Sequence, residues 1–408
     1  MSRPAAQASP LLPVLSFTAL ASFATGSATL GIFFLTKNAF AFGALENYAL
    51  GLLVGVTYTF GALGAARVRG VLARALGLSA RATVAVLTLV MGGLMLVPLV
   101  VKAPWALVAV LGVYAPLTGT LWPLVESYVS GGRRAGELRS AIGRFNIVWS
   151  VTLLPSFWVQ ARSPELVFAS IAAMHFAAAL FLPRFLREAG EHPHDEPHAV
   201  PPHYPELLRA HRVLHACSYL AMYALSPTLP LLLERFVAHD QASLVASTWL
   251  LARVLTFALL ERWHGWHGRW AVAWIGIGLV LGGFGVTVLS PVLFPVLPAL
   301  VVGLLAFGSG LAALYTAALY YAFEVGGSDG GSSHEALIGL GYSLGPLCGL
   351  ATCGLERTGA LAAAQREWVL LLLIAAICGC GALWAWSQRR ARGQAGGREL
   401  PSHVRREV

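Results

Sequence analysis

Ionisable side chains embedded in long apolar runs are the residues of this sequence with types and spacing suited to chemistry. Glu126 closes Leu121-Trp-Pro-Leu-Val, Arg144 and Asn146 lie in the next apolar segment, Arg253 interrupts another, and Glu324 closes Leu319-Tyr-Tyr-Ala-Phe. A charge in an apolar medium costs several kcal/mol unless it is paired or hydrated, so such groups mark ion or solute paths. Glu126 and Arg144 lie at similar depth on successive segments and predict a pair that gates access or exchanges a proton. The plainer alternative is an ion pair that stitches two helices together. Arg253 sits roughly 18 Å along a segment that must cross a core of about 30 Å, beyond snorkelling reach. It predicts a cavity-facing group acting on anions or protons, or a residue paired inside the bundle. Glu324, Asp329 and Glu335 form the one acidic loop without a base. That loop is expected to be solvated, with Glu324 as the alternative counterpart of Glu126. Tyr114, Thr118, Asn146, Trp149, Tyr223, Trp249, Tyr315 and Tyr342 complete the candidate path lining. Rings with polar handles suit sugars or solutes of mixed polarity, although aromatics near span ends also form interfacial belts.

Other chemistries find no support. Gly341-Tyr-Ser343-Leu-Gly345 matches the nucleophile elbow of hydrolases in form. That elbow needs a strand-to-helix turn, which a lipid-spanning helix does not supply, and His334 lies on the same helix as the serine. Cys217, Cys348, Cys353, Cys378 and Cys380 all lie in apolar runs without a CxxC pair, which predicts packing residues. A His-rich tract, Glu191-His-Pro-His-Asp-Glu-Pro-His198, has no apolar frame to hold ligands in place and is expected to be a solvated linker without a metal. The sequence therefore predicts neither an enzyme nor a fixed cofactor.

The elements that must position these groups follow from composition. Of 408 residues, 57% are hydrophobic and only 12% charged, against about 25% charged in a soluble domain. That excludes disorder, a collagen-like rod and a nucleic-acid-binding domain, despite the net charge of +9. Spans of about 20 apolar residues are read near 12–36, 43–65, 82–101, 105–129, 139–161, 165–183, 213–234, 241–262, 270–290, 298–323, 335–356 and 367–388. The first run continues to Leu35, too long for the core of a signal peptide. With the N-terminus inside, 20 of the 28 basic residues fall on the cytoplasmic side and 6 outside. Only twelve spans give that split, which predicts both ends in the cytoplasm and the chain in the cytoplasmic membrane; a monomer is expected. Two six-helix bundles, 1–183 and 213–388, are joined by a cytoplasmic linker, 184–212, and followed by a basic tail, 389–408, close to anionic lipid.

An internal repeat supports the halves. Glu126 and Glu324 each precede by 17 residues a glycine, Gly143 and Gly341, that opens a returning helix. In helix count, central loop and duplicated halves, nearly the whole chain resembles the major facilitator superfamily of secondary transporters. The family's G-x-x-x-D-R-x-G-R-R pattern between helices two and three is matched by Gly61-Ala-Leu-Gly-Ala-Ala-Arg67-Val-Arg69-Gly70, which keeps the bases and lacks the acid. Its second-half counterpart, Glu261-Arg262-Trp-His-Gly265-Trp-His-Gly268-Arg269, keeps an acid beside an arginine. Gly341-x-x-x-Gly345-Pro346-x-x-Gly349 is similar to a pattern that exporters of the family carry in helix five. Helix five has only Pro155 here, so antiport does not follow. The resemblance implies all-α transport of a small solute by alternating access, coupled to an ion, with a proton and Glu126 as the first choice. The missing acid favours an alternative, a sensor or binding protein that kept the fold without turnover.

Overall fold

A computed structural model describes residues 8–133, 135–190, 201–326 and 330–396, and among these there is no β-strand. Twelve membrane-length helices succeed one another. They are α1 (Leu11–Phe40), α2 (Ala44–Leu76), α3 (Ala80–Val100), α4 (Pro104–Ser130), α5 (Ala135–Trp158) and α6 (Pro164–Arg184). After the central connection come α7 (Tyr204–Leu225), α8 (His239–Arg262), α9 (Ala271–Leu293), α10 (Leu297–Gly326), α11 (Gly330–Arg357) and α12 (Ala363–Gly396). Ten are apolar enough to cross a membrane on length and composition alone. The other two, α5 and α7, carry the extra charge and histidine: Glu137, Arg139 and Arg144 on α5, and Glu206, Arg209, His211, Arg212 and His215 on α7. The protein is a multi-pass membrane protein.

Local signals set the boundaries. Proline occupies the first turn of α4 and α6, where its missing N–H is not needed. Ser79 and Ser163 cap α3 and α6 by accepting from Ala82 N at 3.2 Å and Leu166 N at 3.4 Å. Gly77 ends α2 in the left-handed region at φ 64°, where a glycine carries no Cβ penalty. Three expectations shift at the ends. α11 begins at Gly330, five residues before the span predicted from 335, so Glu335 is a helix residue and not a loop acid. α7 begins at Tyr204, inside the stretch read as linker. The Gly61–Gly70 stretch belongs to α2 and not to a loop. The histidine-rich tract 191–198, Asp329 and the end of the basic tail lie outside the described residues.

Small residues let helices approach. Gly341 and Gly345 of α11 lie against the α7 backbone, where an added Cβ would stand 2.7 Å from Leu220 N and 2.6 Å from Ala224 N. Gly349 instead lies against the ring of Tyr48 on α2. The stripe read from sequence is thus a packing surface shared by α7 and α2. α1 contains a π-helical turn, Ser27–Gly31, and Thr25 and Thr29 bond back to Ala21 O at 2.9 Å and Thr25 O at 2.7 Å. Extra residues and back-bonding hydroxyls of this kind bend helices and recur at functional sites.

The two sets of six helices meet across a central interface. At the end remote from the arginine-rich loops, Asn47 Nδ2 donates to Pro227 O at 3.0 Å and Tyr48 Oη to Ala224 O at 2.8 Å. There too, Trp158 Nε1 donates to Ser247 Oγ at 3.1 Å and Lys37 pairs with Glu234. Each of these four contacts ties the first half to the second. At the arginine-rich end, Arg69 of α2 pairs with Glu188 beyond α6 at 2.8 Å, and Glu188 also accepts from Ala80 N at 3.2 Å. The acid missing from the α2 pattern is therefore supplied from another part of the chain.

Candidate functional site

Seven helices enclose a narrow central cavity of about 30 Å³. α1 contributes Thr25, Gly26, Thr29 and Leu30, from its π-helical turn and the residues before it. α4 contributes Thr118, Trp122 and Glu126, α5 Phe145, Trp149 and Leu153, and α11 Glu335, Ile338 and Tyr342. Tyr58 of α2, Tyr219 of α7 and Tyr315 of α10 close the ring. The π-turn region has a direct use: the Thr29 carbonyl accepts a hydrogen bond from Tyr223 Oη at 3.1 Å.

Two carboxyl groups are the only charges lining this cavity among the described residues. Glu126 is 1% exposed and Glu335 4% exposed. Neither oxygen of Glu126 has a conventional donor, while the carboxyl of Glu335 stands within hydrogen-bonding range of it. Glu335 also accepts from Tyr58 Oη. Two buried carboxylates side by side repel, and a proton between them converts the repulsion into a hydrogen bond. The pair lies about one turn in from the arginine-rich ends of α4 and α11.

Arg253 is fully buried behind the cavity wall. Its Nη2 donates to Tyr219 Oη at 3.0 Å. Its guanidinium carbon lies 4.0 Å from the ring centre of Trp149, 5.2 Å from that of Tyr315 and 5.4 Å from that of Phe257. Nε and Nη1 have no protein partner among the described residues. Trp149 and Tyr315 stack at 5.4 Å with 16° between their planes, joining α5 to α10. The cation is thus held by ring faces, an attraction that strengthens where water is excluded. Beside it, His215 and His334 stack at 4.6 Å and 13°.

The sequence-predicted residues divide into three groups. Glu126, Trp149, Tyr315 and Tyr342 line the cavity, and Thr118 with them. Arg253, Tyr223 and Tyr114 are one layer behind: Tyr223 stacks on Tyr342 at 3.7 Å, and Tyr114 hydrogen-bonds to His175 at 2.7 Å. Arg144, Asn146, Trp249 and Glu324 do not line the cavity. Arg144 is exposed, so the predicted Glu126–Arg144 pair does not form. It points away because it lies two positions from buried Asn146, about 200° around a helix. Asn146 borders a smaller hollow with Arg139, Glu261 and Tyr320, and its amide has no partner among the described residues. Trp249 packs edge-on against Phe157 and Phe307. Glu324 is half-buried near the end of α10, and Glu335 occupies the acidic position opposite Glu126 instead.

Sequence reasoning missed Glu335, Tyr58 and Tyr219 as cavity residues. Glu335 follows Gly330-Gly-Ser-Ser-His, which reads as a loop. Tyr58 and Tyr219 carry no signal that separates them from other intramembrane aromatics.

No family model matches the sequence, and no curated protein matches it significantly. Solved structures do match. A mutant of the nucleoside transporter NupG superposes with a TM-score of 0.65 at 14% identity, covering 93% of this chain and 99% of that one. A bacterial homolog of the human lysosomal transporter Spinster, inward-facing and occupied, gives 0.62 at 14% over 93% and 96%. The human organic anion transporter MFSD10 (TETRAN) gives 0.59 at 13% over 90% and 98%. At such identities the likeness speaks for architecture: the chain has the fold of major facilitator superfamily transporters.

Proposed function

We propose that this protein is a secondary active transporter that moves a small solute across the cytoplasmic membrane by alternating access, with a proton as the coupling ion. The observation that carries the reading is the buried carboxyl pair, Glu126 and Glu335, facing a cavity at the junction of the two halves. A proton resides between the two acids when the cavity is empty of other cations. Water or solute reaching Glu126 separates the pair and releases it. Tyr58, Tyr219, Tyr315, Tyr342, Arg253, His215 and His334 are the other titratable or charged groups around it, from α2, α7, α8, α10 and α11. The lining from α1 and α5 is uncharged. Transport by all three structural neighbours supports the same reading. On the positive-inside rule the arginine-rich face is the cytoplasmic one, with both termini inside, and the two six-helix halves rock about the cavity.

The test is flux. Liposomes containing the protein, loaded with a water-soluble metabolite extract and given a pH gradient, are followed by mass spectrometry. At least one solute crosses only with the protein present and only with the gradient. Glu126→Gln, verified as folded by gel filtration, reduces the gradient-dependent component at least tenfold. A Glu126→Gln protein whose flux and pH dependence match the parent overturns the reading.

A further inference from the structure

In this conformation the central cavity, at about 30 Å³, has room for water only. Space for an organic molecule lies at the arginine-rich face, in a crevice of about 510 Å³ where α5 of the first half meets the end of α8 of the second. That size is in the range of small-molecule sites. The crevice is lined by Arg139, Ser140, Arg262, His264 and Glu261, with Gly136 from the first turn of α5. Among the described residues neither arginine is within ion-pairing distance of a carboxylate, Glu261 included. Glu137, also in the first turn of α5, is exposed and does not line the crevice. With His264 neutral, two guanidinium groups and one carboxylate leave one positive charge without a counter-ion.

The crevice continues inward. A hollow with room for about one water shares Arg139 and Glu261 with it and is lined further in by Asn146, Phe257 and Thr316. Asn146 is two turns from Arg139 on the same face of α5, about 10 Å along the axis. A Cβ added at Gly143, between them, would stand 2.5 Å from Glu261 Cγ, so the Glu261 side chain crosses α5 between crevice and hollow. Asn146 is 1% exposed, and neither atom of its amide has a partner among the described residues. Thr316 Oγ1 and Arg139 Nε have none either. Phe257 of the hollow also faces Arg253, whose Nε and Nη1 are unpartnered. Donors without acceptors thus recur at three depths, on Arg139, Asn146 and Arg253, and the one acid lining the crevice or the hollow is Glu261.

We propose that this crevice is a binding site for an organic monoanion, a carboxylate, held with its charge between Arg139 and Arg262 and its body toward Asn146. A carboxylate accepts paired N–H bonds from a guanidinium fork, and its single charge matches the excess. The site needs neither the buried acid pair nor flux, so it goes beyond the transporter reading and is tested apart from it.

The probes are benzoate, the uncharged benzamide and the cationic benzylammonium. Binding to the purified full-length protein in phosphatidylcholine nanodiscs is read by saturation-transfer NMR of each probe, with empty nanodiscs subtracted. Benzoate is expected to bind at least about tenfold more tightly than either other probe, and Arg139→Gln to lower its affinity by about the same factor. Arg74→Gln, on the same face but outside the crevice, leaves the affinity unchanged. A second readout needs no variant. Benzoate protects Arg139 and Arg262 from modification by phenylglyoxal, followed peptide by peptide with mass spectrometry, while Arg74 reacts at an unchanged rate. Equal or tighter binding of benzamide or benzylammonium overturns the proposal, and so does protection that spares Arg139 and Arg262. An Arg74→Gln loss as large as that of Arg139→Gln overturns it too, by assigning the binding to the basic face as a whole. Loss of benzoate binding in nanodiscs containing phosphatidylglycerol assigns the crevice to a lipid headgroup and overturns the choice of a soluble carboxylate. None of these outcomes moves the Glu126→Gln flux test, so the two readings fail separately.

Discussion

The contact between Arg253 and Trp149 joins the two halves of the protein, and a double-mutant cycle measures its worth. Arg253→Met keeps most of the side-chain volume and removes the charge; Trp149→Leu removes the ring. In isolation Arg253→Met has opposing consequences. It forfeits a desolvated cation–π contact of about 2 kcal/mol and a charged hydrogen bond to Tyr219 of about 1.5–3 kcal/mol. It also removes a buried guanidinium whose Nε and Nη1 lack protein partners, and replacing a buried charge by apolar volume is often neutral or favourable. The single variant is therefore expected to change stability by no more than about 2 kcal/mol in either direction. The cycle isolates the contact, because the desolvation of Arg253 enters both arms and cancels. Unfolding in mixed micelles, followed by tryptophan fluorescence, should give a coupling of about 2 kcal/mol from the 4.0 Å geometry. A coupling below about 0.5 kcal/mol would refute the claim that the ring holds the cation. Since Trp149 belongs to the first half and Arg253 to the second, about 2 kcal/mol lost on their separation is roughly a thirtyfold bias among conformations.

Two further expectations concern the scaffold. Glu188 serves both Arg69 and the N-terminus of α3, whereas Arg69 serves only the half-exposed pair; Glu188→Ala should cost about 1 kcal/mol and Arg69→Ala clearly less, by the same unfolding assay. Gly345→Leu forces a side chain against the α7 backbone at Ala224 and should destabilise by about 3 kcal/mol or more, while Gly354→Leu, where an added Cβ meets nothing within 4 Å, should cost less than about 1 kcal/mol.

Much of the architecture was legible because lipid imposes a simple rule on sequence. A segment that crosses it needs about 20 apolar residues, and Gly, Pro and Arg collect between such segments. The first apolar run, read as 12–36, lies within the Leu11–Phe40 helix, and Gly341, Gly345 and Gly349 lie on a helix packed against its neighbours. Glu126 and Arg253 were singled out because each interrupts an apolar run, and both are buried.

Azimuth and partnership were not legible. Arg144 and Glu126 lie at comparable depth, yet Arg144 is exposed and Glu126 buried, because helix rotation is settled by packing against neighbours and not by position along the span. Glu335 entered the site only when α11 proved to start at Gly330 and its first turn came to rest beside α4. Composition, topology and the presence of intramembrane charge were thus determined by the sequence, since they follow from the free energy of moving each residue into lipid. Which acids share a cavity, and which cation stands behind its wall, was decided by tertiary structure. Those pairings join α4 to α11 and α8 to α5 across more than a hundred residues of chain, a separation at which no local pattern constrains which side chains meet.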